Sequence, residues 1–139
     1  MSPAGVLVVE DDETLAHTIT RNLRIRGLAV LHARTVTDAL RSMEEQLPAI
    51  VLLDIELPDG SGWDVLRALR SGAGYRTPVI VMSAFRPNAR LVGELSCVGV
   101  LEKPFPMPSL VRLVLAQLQA PVDEHGEAPE GIAEGGAWE

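Results

Sequence analysis

Short apolar runs alternate with stretches of helical period along this chain. Gly5–Val9 is a β-rich run that stops at three acids, Glu10, Asp11 and Asp12. Glu13–Arg26 places Leu15, Ile19 and Leu23 four residues apart, the spacing of an amphipathic helix, and Gly27 suits its C-terminal cap. Leu28–Ala33 predicts a second strand. Val36, Leu40, Met43 and Leu47 mark a second helix, closed by Pro48. Ile50–Leu53 predicts a third strand ending at Asp54, and Pro58-Asp59-Gly60-Ser61-Gly62 reads as a loop. Trp63–Ser71 predicts a third helix with Leu66 and Leu69 inward. Val79–Met82 predicts a fourth strand ending at Ser83. Leu91 and Leu95 suggest a short fourth helix, interrupted by Gly93. Val98–Leu101 predicts a fifth strand and Pro108–Gln119 a fifth helix, apolar at Leu110, Val111, Val114, Leu115 and Leu118.

This pattern is five βα units. Strands that are apolar nearly throughout are covered on both faces, so the expected fold is α/β: a doubly wound, five-stranded parallel sheet with helices on both faces. Such sheets bind ligands outside the carboxyl ends of their strands. Composition agrees with a folded chain. Of 139 residues, 47% are apolar and 22% charged, the balance of one globular domain. The longest apolar runs fall far short of the roughly 18 residues that span a bilayer. No basic leader precedes the first apolar run, and a single cysteine, Cys97, excludes a disulfide framework or a multi-cysteine metal site. A cytoplasmic location is expected.

Charge is unevenly placed. The net charge of −7 belongs mostly to residues 121–139, which hold six acids and no base, with two prolines and four glycines. Residues 1–120 hold 13 acids and 12 bases. The expected organisation is therefore a folded domain over 1–120 and an acidic, Gly/Pro-rich tail or linker over 121–139. No basic block suggests direct nucleic-acid binding.

The chemistry collects just after the strands. Glu10, Asp11 and Asp12 follow the first, Asp54 the third, Ser83 the fourth and Lys103 the fifth, so all are expected on one rim. Clustered carboxylates repel one another and raise each other's pKa, a penalty that a hard divalent cation removes. Oxygen ligands without His or Cys suit Mg²⁺. An aspartate beside that ion is a competent nucleophile toward phosphorus, with a hydroxyl (Ser83) and an ammonium (Lys103) to take phosphoryl oxygens. Lys103 is the one lysine beside 11 arginines, and it stands where a compact point charge differs from a planar fork.

Val8-Val9-Glu10-Asp11-Asp12, Leu53-Asp54-Ile55-Glu56-Leu57-Pro58-Asp59-Gly60-Ser61-Gly62, Val81-Met82-Ser83-Ala84 and Glu102-Lys103-Pro104-Phe105 resemble the receiver domain of bacterial two-component response regulators, over about residues 5–120. The resemblance implies the flavodoxin-like strand order 2-1-3-4-5. It implies Asp54 as phosphoacceptor, Glu10 and Asp11 as the acidic pair for Mg²⁺, and the backbone carbonyl of Glu56 completing the metal shell. Ser83 is then the phosphate-sensing hydroxyl, Lys103 the partner of the phosphoryl group, and Lys103-Pro104 a cis bond. It further implies a sensor histidine kinase or histidine phosphotransfer protein as donor. Output would pass through the surface of the fourth helix, fifth strand and fifth helix, to a downstream protein or a fused output domain. A homodimer is left open. Catalysis beyond the domain's own phosphoryl transfer and dephosphorylation is not expected.

Two departures bear on output. Val100 stands where the family often carries an aromatic switch residue. The segment from Ser83 to Lys103 is about two residues shorter than usual, in a helix already weakened by Pro87 and Gly93. An alternative reading is thus a phosphate-independent receiver acting as a protein-binding module. A Mg²⁺-dependent phosphatase would also place an acid two residues after its nucleophile, as Glu56 stands to Asp54. That reading lacks room for a substrate cap, and its nucleophile would follow the first strand. Taken singly, the acidic run reads as a solvated loop, Asp54 as a loop cap and Lys103-Pro104 as a turn; together, at four strand ends, they read as a phosphoryl site. His17 is expected at the surface of the first helix, His32 and Cys97 as structural residues, and Trp63 as packing where the third helix begins.

Overall fold

The computed structural model describes residues 5–119. Five parallel strands form its centre: β1 (Val6–Val9), β2 (Val30–Ala33), β3 (Ile50–Asp54), β6 (Val79–Ser83) and β7 (Gly99–Glu102). Their order is β2-β1-β3-β6-β7, the expected 2-1-3-4-5 once a separate two-stranded hairpin, β4 (Glu56–Leu57) with β5 (Gly60–Ser61), is counted. That hairpin is antiparallel and lies in the segment expected as a plain loop.

Alternation along the strands explains their continuous apolar character. Val6, Val8, Ile50, Leu52, Ile80 and Met82 face one way, against α1 (Glu13–Ile25) and α5 (Met107–Gln119). Leu7, Val9, Val51, Leu53, Val79 and Val81 face the other, against α2 (Val36–Glu45) and α3 (Gly62–Ser71). Successive strand side chains point to opposite faces, so a sheet covered twice needs apolar residues at every position. In α1 the buried residues are Ala16, Ile19 and Leu23, one stripe of the helical period.

Local chemistry sets most helix ends. Asp12 caps α1, Thr35 caps α2, and Ser61 with Asp64 forms a reciprocal capping box on α3, each satisfying amides that the first turn leaves unpaired. Gly27 adopts φ 84° just past α1, a left-handed conformation that a Cβ disfavours. The helix α2 stops at Glu45, so Leu47 lies beyond it. The fourth helix, α4, is a single short segment, Ala89–Glu94, with no buried residue. Among the described residues no helix is long and apolar enough to cross a membrane.

Candidate functional site

The parallel register delivers the expected residues to one rim. Asp54 ends β3 with its side chain buried, and Glu10 follows β1, fully buried. Lys103 follows β7, where its backbone N–H donates to the carbonyl of Ser83 at 2.7 Å. Its Nζ lies 2.7 Å from Glu10 Oε1 and 3.1 Å from Asp54 Oδ2. One ammonium thus bridges two buried carboxylates. Asp11 is exposed, and one carboxylate oxygen from each of Glu10, Asp11 and Asp54 falls within 4.8 Å of the others.

The electrostatics are those of a crowded acidic pocket. Burial and the contact with Asp54 push the Glu10 carboxyl up to about 7, against the opposing pull of Lys103 and the Asp12 amide. Burial alone would lower the Lys103 pKa, but its hydrogen bonds and charge attraction to Glu10 and Asp54 outweigh this and raise it above that of an ordinary lysine. The ammonium therefore stays charged, and excess negative charge remains beside it. A hard, oxygen-ligated divalent cation relieves that excess. The three-carboxylate donor set fits such an ion, and the cluster can hold one.

Backbone contacts hold the Asp54 loop. The Ile55 amide donates to Met82 O at 3.1 Å, and the Gly62 amide donates to Ile55 O at 2.8 Å. A Cβ on Gly62 would collide with the carbonyl oxygen of Asp54, so only glycine lets α3 start this close to the strand end. The Lys103-Pro104 bond is cis, as expected.

Asp12, Ser83 and Glu56 make contacts that the sequence does not signal. Asp12 does not join the carboxylate cluster: its Oδ1 accepts from the Leu15 amide at 3.1 Å, capping α1, while its own N–H donates to Glu10 Oε2 at 3.1 Å. An acid at a helix N-terminus is stabilised by the first-turn amides and the helix dipole, whereas a fourth carboxylate in the pocket would only be repelled. Ser83 is buried and near the rim, but its hydroxyl donates to Glu56 Oε2 at 2.9 Å. The resemblance implies a role for the Glu56 backbone carbonyl; its carboxylate is engaged as well, with Oε1 accepting from the Ala84 amide at 3.1 Å. Nothing local signals that bridge, since 27 residues separate Glu56 from Ser83.

The remaining candidates take structural places. His32 Nε2 meets the Glu10 carbonyl oxygen at 2.6 Å, tying β2 to the end of β1. His17 is exposed on α1, and Trp63 packs half-buried against the second core. Cys97 is buried, and burial pushes its thiol up to about 11, which leaves it unreactive at neutral pH. Val100 is half-buried on the α4 side of the sheet, whereas Phe85, beside Ala84, is 73% exposed. The acidic segment 121–139 lies outside the described residues.

Comparison with known proteins agrees with this geometry. The family model of the response regulator receiver domain matches residues 6–115. The transcriptional regulatory protein KdpE of Mycobacterium tuberculosis is 39% identical over 128 residues, covering 90% of this chain and 54% of KdpE. The DNA-binding response regulator MtrA of the same organism is 36% identical over 124 residues, covering 88% of this chain and 54% of MtrA. The chain thus spans about half the length of these curated relatives. Among solved structures, the non-phosphorylated HemR receiver domain of Leptospira biflexa superposes with a TM-score of 0.79 at 26% identity, over 88% of this chain and 99% of that one. Because residues 6–115 include all four strand ends on which the acidic pocket is built, this chain belongs to the response regulator receiver domain family, the signalling modules of two-component systems.

Proposed function

We propose that the domain is a phosphorylation-controlled switch with Asp54 as phosphoacceptor. The observation that carries this reading is the buried Asp54 carboxylate held 3.1 Å from Lys103 Nζ, with Glu10 and Asp11 alongside. A histidine kinase or phosphotransfer partner presents a phosphohistidine. An Asp54 carboxylate oxygen bonds to phosphorus as the P–N bond breaks, and the leaving imidazole nitrogen takes up a proton. Glu10, Asp11, Asp54 and the Glu56 carbonyl are the proposed Mg²⁺ ligands, and an ion held there would supply charge neutralisation for the transferring group. Lys103 pairs with one phosphoryl oxygen, and the Ser83 hydroxyl takes another. Drawing Ser83 inward biases the α4–β7–α5 surface between two states.

Residues 1–120 are then the receiver and residues 121–139 a linker or tail, leading to a downstream protein contact or a fused output domain. The test is Mg²⁺-dependent labelling with a small phosphodonor, read as a mass gain of one phosphoryl group. The native chain labels and Asp54→Asn does not; equal labelling of both overturns the assignment.

A second reading draws on α4, which buries no residue, and on Val100: a receiver whose output is uncoupled from phosphate and which acts as a protein-binding module. Beryllofluoride with Mg²⁺ discriminates by NMR. Shifts that reach α4 and α5 support the switch, and shifts confined to the rim support the module.

A further inference from the structure

The carboxylate of Glu56 sits on two donors at once. Ser83 Oγ donates to Oε2 at 2.9 Å and the Ala84 amide donates to Oε1 at 3.1 Å. Both donors lie at the carboxyl end of β6, which pairs with the end of β3 through Asp54 opposite Met82. Ser83 Oγ is itself fixed, accepting from the Phe85 amide at 3.2 Å. A hydroxyl and an amide converging on an anion form an oxyanion site, and here the chain supplies the anion.

We propose that Glu56 is an internal occupant of the phosphoryl-oxygen site, closing it in the unphosphorylated domain and leaving it when a phosphoryl group arrives on Asp54. This rests on the Asp54 reading above. A second anion cannot use both donors while Glu56 holds them, so phosphorylation must first break two charge-assisted hydrogen bonds.

The Glu56 backbone is pinned. Its amide donates to Asp54 Oδ1 at 3.0 Å. In the turn of the same hairpin, Asp59 accepts from the Val36 and Thr37 amides at 2.7 and 3.1 Å and from the Thr37 hydroxyl at 3.0 Å. The exchange is therefore a side-chain rotation about a fixed hairpin. Glu56 is solvent-exposed, so the released carboxylate regains water, and its cost of leaving is modest. The contact weakens anion capture without blocking it, and it holds Ser83 until a stronger anion competes.

Binding of beryllofluoride with Mg²⁺ to the native chain and to Glu56→Ala, Glu56→Gln and Glu56→Asp tests this. Removing the carboxylate tightens binding by on the order of tenfold, the low end of the value of one hydrogen bond to a charged group, because the released carboxylate is rehydrated. Glu56→Asp keeps the charge but is one methylene too short to hold both donors, so occupancy predicts that it also tightens binding. Charge repulsion alone predicts that Glu56→Asp behaves as native. A readout without any ligand accompanies this: the Ala84 amide resonance shifts in Glu56→Ala because it loses its acceptor. If the native chain binds and Glu56→Ala binds no more tightly than it, or Glu56→Asp behaves as native while Glu56→Ala tightens, the occupant proposal is overturned while the Asp54 reading stands. Failure of the native chain and of every variant to bind overturns both.

Discussion

The rim around Asp54 and the α4 segment are built on opposite principles. At the rim, Glu10 and Asp54 are withdrawn from water and Lys103 is shared between them. Their positions are over-determined, because moving any one strands a buried charge. In α4 nothing is buried. Its start is capped by Asn88, whose Oδ1 accepts from the Arg90 and Leu91 amides at 2.9 and 3.2 Å, and its one ion pair, Arg90 with Glu94, is exposed. The junction after it is held from outside. Arg70 on α3 donates to the carbonyls of Leu95 and Ser96 at 2.8 and 3.3 Å, and to those of Gly74, Tyr75 and Thr77. Ser96 adopts φ 56°, an uncommon conformation for a residue with a Cβ, kept by such outside contacts. The candidate site thus falls where charges are buried and paired, whereas α4 is a segment that buries nothing, the kind that opens at low cost.

The largest expected effect breaks the rim. Lys103→Met leaves Glu10 and Asp54 facing each other without their shared cation and removes a ligand for a phosphoryl oxygen. Labelling by a small phosphodonor should slow by about a hundredfold or more, with the circular dichroism of the fold unchanged. A native rate in this variant refutes the role given to the lysine.

Next comes the α4 junction. Arg70→Leu keeps the apolar stem but leaves carbonyls around Ser96 without a donor, costing about 2 kcal/mol in denaturant unfolding. Hydrogen exchange should accelerate in α4 and the loop to β7 and remain slow in β3. The rim should still label with phosphate. If β3 exchange rises as much as that of α4, the two regions are one cooperative unit and the contrast fails.

The smallest effect concerns the hairpin that carries Glu56. Backbone and hydroxyl hydrogen bonds from Val36 and Thr37 hold the Asp59 carboxyl below the usual carboxylate range. A carboxyl with a depressed folded-state pKa contributes stability that is present above its unfolded value and lost as pH falls through the folded one. Melting temperature should therefore drop below about pH 4, and Asp59→Asn should flatten part of that slope while leaving neutral-pH phosphodonor labelling near native. An unchanged acid slope removes Asp59 from the account.

Much of the rim was legible beforehand because a parallel sheet orders its strand ends by topology alone. Glu10, Asp11, Asp54 and Lys103 meet once the five apolar runs are recognised as strands. The α4 weakness was legible too, from Gly93 and the sparse apolar spacing. The carboxylate bridge from Glu56, the reach of Asp59 to α2, the Arg70 clamp and the diversion of Asp12 to a helix cap were not. Each joins or re-routes polar groups whose partners depend on how a loop closes.

Hydrophobic periodicity, a local property of the chain, determined the strands, the helices and the rim on which function falls. Tertiary structure alone decided which oxygen each donor meets, because hydrogen bonds are satisfied over about 3 Å, and only the closed fold brings groups some 20 to 50 residues apart within that range.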